Sequence, residues 1–459
     1  MKGPFTLASQ RGVLGEALDR REFLKVAGAG LAGAGLLGLP GCGGGGDSGG
    51  GGGNEPVTLR WSMWSDTPEE RKIWQGLGDA VTRKYPNIKV KLETTTFQNY
   101  WDKLQTQIAS STQADIIGMQ AQRMPGFAAR GALQPMTEEI DKNPSVDFSD
   151  YFKVIEDALS FDGKVHALAY DLGPPLLYYN KSLFKQAGMP VPSPTKPMSW
   201  DQFKATAAKL TDAGARQYGY VQGFAFDWVI PWIWSNGGDY MTDDASKSTL
   251  DSPTSMAAMQ FLSDLFNKDK VAAPITDLAN PNFGLERFSS GKVAMHMDGP
   301  WQVVNIRSNA KFDFDIAPIP AGSAGSNGWA AGSGFGISRS TKNADAVFKA
   351  ISVITGKAAL AGLTRAGRGY PARQSTVPIF ESKAPPRHAA IVQQVLNSDV
   401  GETKPFRATA TWQETDVMLT QELIPAIFLG NPSIDQAVKN VKPKFDDLLS
   451  RAKDIENRG

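Results

Sequence analysis

Strand-like and helical runs alternate from residue 57 onward, and this alternation constrains the fold more than any other feature of the chain. Strand-like runs occupy 57–61, 88–92 and 115–119, and helical runs near 68–85 and 100–109 separate them. Such an order is typical of βαβ units, in which parallel strands form a sheet flanked by helices. The sequence therefore predicts an α/β fold with mostly parallel sheets.

The ends of these strands predict where a ligand would bind. In open α/β sheets, ligands occupy the crevice beyond the carboxyl ends of the strands. Trp64 and Ser65 end the first predicted strand, and Gln122 and Arg123 follow the third. A guanidinium such as that of Arg123 makes paired hydrogen bonds to hydroxyls or to a carboxylate. We expect all four residues in a ligand-binding crevice, with a loop-closing salt bridge as the alternative for Arg123.

The N-terminal region differs from the rest of the chain. Paired arginines, Arg20 and Arg21, precede a glycine-rich apolar run that is shorter than the about 20 residues of a membrane-spanning helix. The single cysteine, Cys42, follows this run. The order resembles a twin-arginine export signal over 1–41 with a lipoprotein cleavage box, in which Cys42 receives the lipid. The glycine-rich segment 42–56 predicts a flexible tether, and a plain hydrophobic anchor with a chance cysteine is the alternative.

Charge argues against several partners. The whole chain has a formal charge of +1, and residues 1–41 carry five basic and three acidic side chains, so the remainder has a charge of −1. A nearly neutral body gives no reason to expect nucleic acid or anionic lipid as a partner. The protein is therefore expected outside the cytoplasm, and the lipid anchor is its only expected attachment to the membrane.

Motifs for catalysis, metals and cofactors are weak. The three histidines, His166, His296 and His388, are far apart and show no paired metal-ligand spacing. No nucleophile elbow, dinucleotide-binding or phosphate-loop pattern occurs. We expect no enzyme activity, no metal and no cofactor. Because sequence does not fix the separation of two carboxylates, a secreted glycoside hydrolase stays open as an alternative.

An aromatic segment at 223–240 is typical of a small-molecule cleft. It combines several rings with Asp, Asn and glycine residues, the mixture that binds flat sugar faces and hydroxyl edges. Trp228, Trp232 and Asn236 are its candidate ligand contacts. Trp228 and Trp232 are four residues apart and share a helix face, whereas Trp234 points elsewhere. The alternative is that these rings belong to the core, so that only some of them reach a ligand.

Five motifs in order carry a resemblance to a known family. The segment 288–301, FSSGKVAMHMDGPW, resembles the signature F-x-x-G-K-x-A-M-x-x-x-G-x-W of bacterial extracellular solute-binding proteins of family 1, the maltose-binding type. Further matching segments lie at 114–140, 163–189 with 198–211, 334–355 and 429–449. Gln122 departs from the maltose type, which has an aspartate before the matching arginine. The resemblance covers essentially the whole chain after the tether.

The resemblance implies a two-lobed periplasmic-binding-protein fold of type II. Each lobe would be a mostly parallel sheet flanked by helices, and hinge crossings near Asp171, Gly332 and Arg368 would join the lobes. The implied N-terminal lobe comprises 57–171 and 332–367, and the C-terminal lobe comprises 172–331 and 368–459.

Further ligand-binding residues follow from the same resemblance. They are Asp171, Asp298, Trp301, Gly332, Ser333, Arg368 and Trp412. Trp301 matches a tryptophan that lies against sugar in the family, and Asp171 matches an acidic ligand contact. Two alternatives stay open: Asp171 could only order the hinge, and Trp412 could pack between helices.

The implied function is that of the substrate-binding lipoprotein of an ABC importer. It would bind a mono- to oligosaccharide or a glycoside between the lobes and deliver it, as a monomer, to the membrane permease. A binder of a polyamine or a phosphorylated polyol, with the same fold, is the alternative.

Overall fold

The structure, a computed structural model, describes residues 55–457 apart from 279, 281, 368, 384–385 and 397–402. The predicted signal, Cys42, most of the tether and Arg368 lie outside the described residues. In the described part the strands are β1 (Val57–Trp64), β2 (Ile88–Thr95), β3 (Ile116–Gln120), β4 (Leu133–Gln134), β5 (Ser160–Phe161), β6 (Lys164–Val165), β7 (Leu168–Gly173), β8 (Leu176–Asn180), β9 (Tyr218–Gln222), β10 (Val293–Asp298), β11 (Phe314–Ala317), β12 (Gly328–Ser338), β13 (Tyr370–Pro371) and β14 (Thr403–Pro405).

Helices connect these strands and follow them. They are α1 (Pro68–Lys84), α2 (Phe97–Ala109), α3 (Met124–Ala129), α4 (Thr137–Lys142), α5 (Lys153–Ala158), α6 (Lys181–Gln186), α7 (Trp200–Lys209), α8 (Ile230–Ser235), α9 (Pro253–Asn267), α10 (Phe283–Ser289), α11 (Val303–Asn309), α12 (Ala344–Ile354), α13 (Lys357–Arg365), α14 (Val377–Lys383), α15 (Pro386–Leu396), α16 (Trp412–Glu422), α17 (Ile424–Leu429) and α18 (Ile434–Glu456). The start of α1 shows the local cause: Thr67 Oγ1 accepts a hydrogen bond from the Glu70 amide, and Pro68 occupies the first turn.

Two main sheets form the body. The first has the strand order β13-β7-β12-β3-β1-β2, with β4 and β14 also paired to β12, and the second has the order β11-β8-β10-β9. In the first core, the rings of Trp61 and Tyr170 both pack against Phe335, with centroids 5.1 Å away in each case. The helices cover both sheets, as an α/β fold requires.

The prediction of mostly parallel sheets is wrong, because both sheets are mixed. In the first sheet β1 is parallel to β2 and β3, whereas β12 is antiparallel to β3 and β7. In the second sheet β10 is parallel to β9 but antiparallel to β8, which is also antiparallel to β11. A parallel neighbour needs a crossover connection. The chain runs from β11 of the second sheet to β12 of the first sheet with no helix between them. This connection is therefore not a helical crossover of the kind that joins parallel neighbours.

The chain passes between the two sheets near two of the predicted crossings. β7 belongs to the first sheet and β8 to the second, and only Pro174 and Pro175 separate them. The buried apolar residues form two clusters, one around each main sheet. Along β12, Trp329 and Ala331 belong to the cluster around the second sheet, whereas Phe335 and Ile337 belong to the cluster around the first. After the third predicted crossing, β13 still pairs with β7 of the first sheet. The lobe boundaries themselves stay a prediction.

Among the described residues, no single helix has both the length and the apolar character of a membrane span. The bent pair α12 and α13 meets these criteria only when both helices are taken together.

Candidate ligand-binding site

Arg123 occupies the turn between β3 and α3, at the carboxyl end of the strand. Its Nε donates to Oε1 of Gln120 at 3.3 Å, and its guanidinium lies over the ring of Trp101, 4.7 Å from the centroid. The other guanidinium N–H groups donate to none of the residues that the structure describes. Since an arginine carries five N–H donors, most of the donor capacity of this half-buried side chain is available to a ligand.

Two carboxylates lie in the electrostatic surroundings of Arg123. Asp227 follows β9 in a short 3-10 turn, Phe226–Trp228, and Asp416 lies on α16. Helix α16 packs beside α3, where Arg130 donates to the carbonyl of Ala410 at 2.6 Å and pairs with Glu414 at 2.6 Å. This packing brings Asp416 to the end of β3, which the order of the chain alone does not show.

The three charges shift one another's protonation. Burial raises the pKa of Asp227 to about 7, the negative charge of Asp416 adds to the rise, and Arg123 opposes it. Burial also raises the pKa of Asp416, against the effect of Arg123. The pKa of Arg123 is lowered by burial and held up by Asp416 and Asp227. The two carboxyls therefore influence each other's titration, and burial favours the protonated form of each.

Two acceptors at this position are buried without a hydrogen bond from any described residue. They are Oδ1 of Asp227 and Oε1 of Gln122. A buried acceptor without a donor costs about 1–3 kcal/mol. A ligand hydroxyl that donates to either oxygen would remove that cost.

Two half-exposed indoles flank Asp227. The rings of Trp228 and Trp301 have centroids 6.4 Å apart. Behind them the buried Trp329 stacks on Trp301, with centroids 6.4 Å apart and planes at 10°, and its Nε1 donates to the carbonyl of Asp227 at 2.8 Å. The structure thus brings together a cation, two carboxyls and two half-exposed indole rings.

Several predicted site residues form backbone contacts close to the sheet crossings. Asp171 Oδ1 accepts from the amide of Ser333 at 2.8 Å. A Cβ on Gly332 would lie 2.3 Å from the carbonyl oxygen of Asp171, so only glycine fits there. Ser65 Oγ donates to the carbonyl of Thr67 at 2.9 Å. These contacts order the chain, and ligand contacts for Asp171, Gly332, Ser333 and Ser65 stay predictions.

Three predicted ring contacts are corrected to core packing. Trp64 packs among Phe97, Tyr100 and Trp101, Trp232 among Trp200, Phe203 and Tyr220, and Trp412 between Tyr240 and Phe406. Each of the three is at most 4% exposed, so none has a ring face open to a ligand. The indole of Trp232 also donates to Gln222 at 2.8 Å. The core alternative was therefore right for Trp232 and Trp412.

The amide of Asn236 has partners away from the indole pair. Its Nδ2 donates to the carbonyl of Thr254 at 2.9 Å, and its Oδ1 accepts from Ser323 at 3.2 Å. The structure therefore does not bring it to the other site residues.

Asp298 is close enough to affect the pKa of Asp227. Both of its carboxylate oxygens already accept hydrogen bonds, from Gly299 and from His296.

Sequence reasoning missed four contributors. Trp101, Asp227, Trp329 and Asp416 were not proposed as ligand contacts. Asp416 lies one helical turn after Trp412 and so shares its face of α16, a spacing that could have identified it. Trp101 carries no comparable signal, because α2 reaches Arg123 only through the tertiary fold.

The structure offers no metal site in the part of the chain that it describes. No group of three or more His, Cys, Asp or Glu side chains there could hold an ion.

Comparisons with known proteins agree with this architecture. The family profile of bacterial extracellular solute-binding proteins matches residues 64–361. The chain is 22% identical over 407 residues to the diacetylchitobiose-binding protein of Streptomyces coelicolor, covering 86% of this chain and 90% of that one. It is 28% identical over 208 residues to the sn-glycerol-3-phosphate-binding periplasmic protein of Pectobacterium atrosepticum, covering 42% and 44% of the two chains.

A solved structure establishes the fold. The ABC substrate-binding protein of Listeria monocytogenes in complex with cycloalternan superimposes with a TM-score of 0.79 at 24% identity, over 86% of this chain and all of that one. The predicted two-lobed α/β fold of type II periplasmic binding proteins is thereby confirmed. Since the family profile matches more than half of its length, the chain belongs to the bacterial extracellular solute-binding proteins.

Proposed function

We propose that the protein binds a carbohydrate or polyol at Arg123 and delivers it to an ABC permease. The observation that carries this proposal is the position of Arg123, held by Trp101 and surrounded by Asp227 and Asp416, beside the half-exposed Trp228 and Trp301. Proteins of the same family and fold include binders of diacetylchitobiose and of cycloalternan.

The chemistry of the site suits a neutral, hydroxyl-rich ligand. A sugar presents C–H faces that lie against indole rings and hydroxyls that both donate and accept hydrogen bonds. Arg123 supplies donors, and the unpartnered oxygens of Asp227 and Gln122 supply acceptors. A ligand with both kinds of group would satisfy all of them at once.

A phosphorylated polyol is the second candidate, favoured by the relative that binds sn-glycerol 3-phosphate. The local charges argue against it. Asp227, Asp416 and Asp298 lie around the single cation Arg123, and each of these carboxyls that ionises would repel a phosphate dianion. Polyamines would find carboxylates here, but Arg123 would repel them.

Location and anchoring follow from the family and from the N-terminal pattern. The family places the protein outside the cytoplasm. We propose further that Cys42 carries the lipid, that residues 1–41 are removed and that 42–56 tether a monomeric body beside its permease. Replacement of Cys42 by Ala should release the protein from membranes, and a variant that still carries an acyl chain would contradict the anchor.

Isothermal titration calorimetry of the purified protein against neutral sugars, polyols, spermidine and glycerol 3-phosphate tests the ligand class. We expect saturable binding of a neutral sugar or polyol, with affinity lowered about 10- to 100-fold in Trp301→Ala, since one buried aromatic contact contributes about 1.5–3 kcal/mol. Trp412→Phe, in the core, is the control and should keep the affinity. Binding of glycerol 3-phosphate alone would contradict the neutral ligand.

We also propose that the protein binds without turnover. Asp227 and Asp416 are nevertheless two buried carboxyls with raised pKa values, a feature that hydrolase sites also show. Incubation with aryl glycosides should release no more aryl alcohol than Asp227→Asn does. A rate well above that variant would make the protein an enzyme.

A further inference from the structure

Trp301 reaches the site from a tight turn that follows β10. A Cβ on Gly299 would lie 2.1 Å from Cη2 of Trp301, so the indole folds back directly over this glycine. A Cβ on Gly173 would lie 2.5 Å from Cγ of Pro300. The ring position therefore depends on the backbone of residues 298–301, and any rotation of this turn would move the ring.

Two side-chain hydrogen bonds hold that backbone, beside the bond from the Gln302 amide to the Gly299 carbonyl at 3.1 Å, and a contact between two side chains supports them. The amide of Gly299 donates to Oδ1 of Asp298 at 2.7 Å, and the Tyr178 hydroxyl donates to the carbonyl of Gly299 at 2.7 Å. Nε2 of His296 lies 3.1 Å from Oδ2 of Asp298. Both the N–H and the C=O of Gly299 are thus held by buried side chains from β8 and β10.

His296 is deeply buried and has an acceptor at each ring nitrogen. It is 1% exposed, and while Nε2 faces Asp298, Nδ1 lies 3.3 Å from the carbonyl oxygen of Val221. The ring of Phe288 stacks on it at 5.7 Å and 28°. The contact between His296 and Asp298 orients the carboxylate of Asp298.

We propose that His296, Asp298 and Tyr178 are positioning residues that fix the Gly299 turn and so hold the indole of Trp301 in the binding site. The role in binding rests on the function proposed above, whereas the role in placing the ring does not. Asp298, which the sequence suggested as a ligand contact, acts in this account through Trp301. Each of its two oxygens already has one partner, Gly299 or His296, and these contacts fix the orientation of the carboxylate.

Fluorine NMR of the full chain labelled with 5-fluorotryptophan tests the placement without any ligand. The resonance of Trp301 is assigned by its loss in Trp301→Phe. We expect Asp298→Ala to shift or broaden this resonance and to leave that of Trp412 in place. Asp298→Asn should restore it, because an amide can still accept from Gly299 and donate to Nε2 of His296. Tyr178→Phe, which removes one hydroxyl, should shift it as well.

His388 provides a matched control. It is also buried and pairs with an aspartate, with Nε2 2.8 Å from Oδ1 of Asp315. His388→Gln should leave the Trp301 resonance unshifted, whereas His296→Gln should move it. Should Asp298→Ala fail to fold, Tyr178→Phe and His296→Gln decide the outcome. A Trp301 resonance that is the same in Tyr178→Phe, His296→Gln and the unaltered protein would overturn the proposal.

The consequence for binding is measured separately. For a sugar that the calorimetric panel identifies, Tyr178→Phe and His296→Gln should lower the affinity about 3- to 20-fold, corresponding to the about 1 kcal/mol of one hydrogen bond or somewhat more. His388→Gln should change it less than about 2-fold. If the resonance moves and sugar affinity does not, the turn is held as proposed but Trp301 is no ligand contact, so the functional proposal fails alone.

Discussion

Two arginines of this protein lie over aromatic rings and serve different ends. The guanidinium of Arg373 lies 4.1 Å from the ring centroid of Tyr151, and that of Arg123 lies 4.7 Å from the ring of Trp101. Arg373 is 3% exposed, and the protein uses its donors fully. It donates to the carbonyls of Val146, Asp147 and Thr355, to Asp150 and to the Tyr151 hydroxyl.

Arg123 also lies over an aromatic ring, but most of its N–H donors have no partner among the described residues. Among the described residues, its side chain makes one hydrogen bond, to Gln120, and its carboxylate neighbours Asp227 and Asp416 act on it through charge. A charged group that a protein leaves incompletely bonded is costly unless something else binds it. The contrast indicates that Arg373 serves stability and that Arg123 serves a ligand.

The largest expected effect is the loss of folding stability when Arg373 is replaced. Arg373→Ala leaves Asp150 without its ion-pair partner and removes the donor to the Val146 carbonyl, whereas the carbonyls of Asp147 and Thr355 each keep one other donor. Removing one partner of a buried pair costs about 3–5 kcal/mol, so chemical denaturation should show a loss of that size. Arg123→Ala, the matched variant, should lose less than about 1 kcal/mol. Similar losses for both variants would remove the distinction.

The carboxyls beside the two arginines have pKa shifts of opposite direction: that of Asp227 is raised and that of Asp150 is lowered. Burial and Asp416 raise the pKa of Asp227 to about 7, so the folded state holds a proton that the unfolded state releases between about pH 4 and 7. Stability therefore falls as pH rises through this window. Asp227→Asn removes the penalty and should raise the free energy of unfolding by about 1–3 kcal/mol at about pH 8 but little at about pH 4.

Asp150 is the control, because its shift has the opposite direction. Although burial opposes the change, hydrogen bonds from Ser375 and Arg373 lower its pKa. Its contribution is present above the ordinary pKa of an aspartate and is lost as pH falls. Asp150→Asn should therefore destabilise the protein at neutral pH. Unfolding curves in which both variants shift the same way at about pH 8 would contradict the assignment.

The smallest effect is expected where α3 meets α16. Arg130 and Glu414 form an ion pair at 2.6 Å, with about two-fifths of each side chain exposed. Exposed pairs contribute about 0.2–1 kcal/mol, so Glu414→Gln should change the thermal midpoint only slightly and lose its effect in high salt. A large change would mean that α16, with Asp416, depends on this pair for its position.

The sequence predicted the fold and part of the site for physical reasons. The period of the strands and helices is local, so α1, β1 and β3 follow from patterns of apolar and capping residues. Arg123 was found because the end of a strand is also a local feature. The mixed direction of the sheets was missed, because β12 takes its neighbours from chain segments far away.

The misassigned tryptophans have a single cause. Trp232 and Trp228 lie four residues apart, but the first is enclosed by Phe203 and Tyr220, while the second stays half-exposed beside Trp301. The predicted shared helix face is wrong, because Trp228 lies in the 3-10 turn Phe226–Trp228 and Trp232 lies in α8. Spacing also does not say what covers each ring. In the same way, the spacing from Trp412 could identify Asp416 as a residue on the same face of α16, but its position beside Arg123 depends on the packing of α16 on α3.

The most direct test of this account is calorimetry with Arg123→Ala. With a neutral sugar or polyol that binds the unaltered protein, the variant should lose about 2–4 kcal/mol of binding free energy, at least about 30-fold in affinity, because two or more charge-assisted hydrogen bonds disappear. Its free energy of unfolding should stay within about 1 kcal/mol of the original. Unchanged affinity in a folded Arg123→Ala protein would contradict the claim that this arginine forms the centre of the binding site.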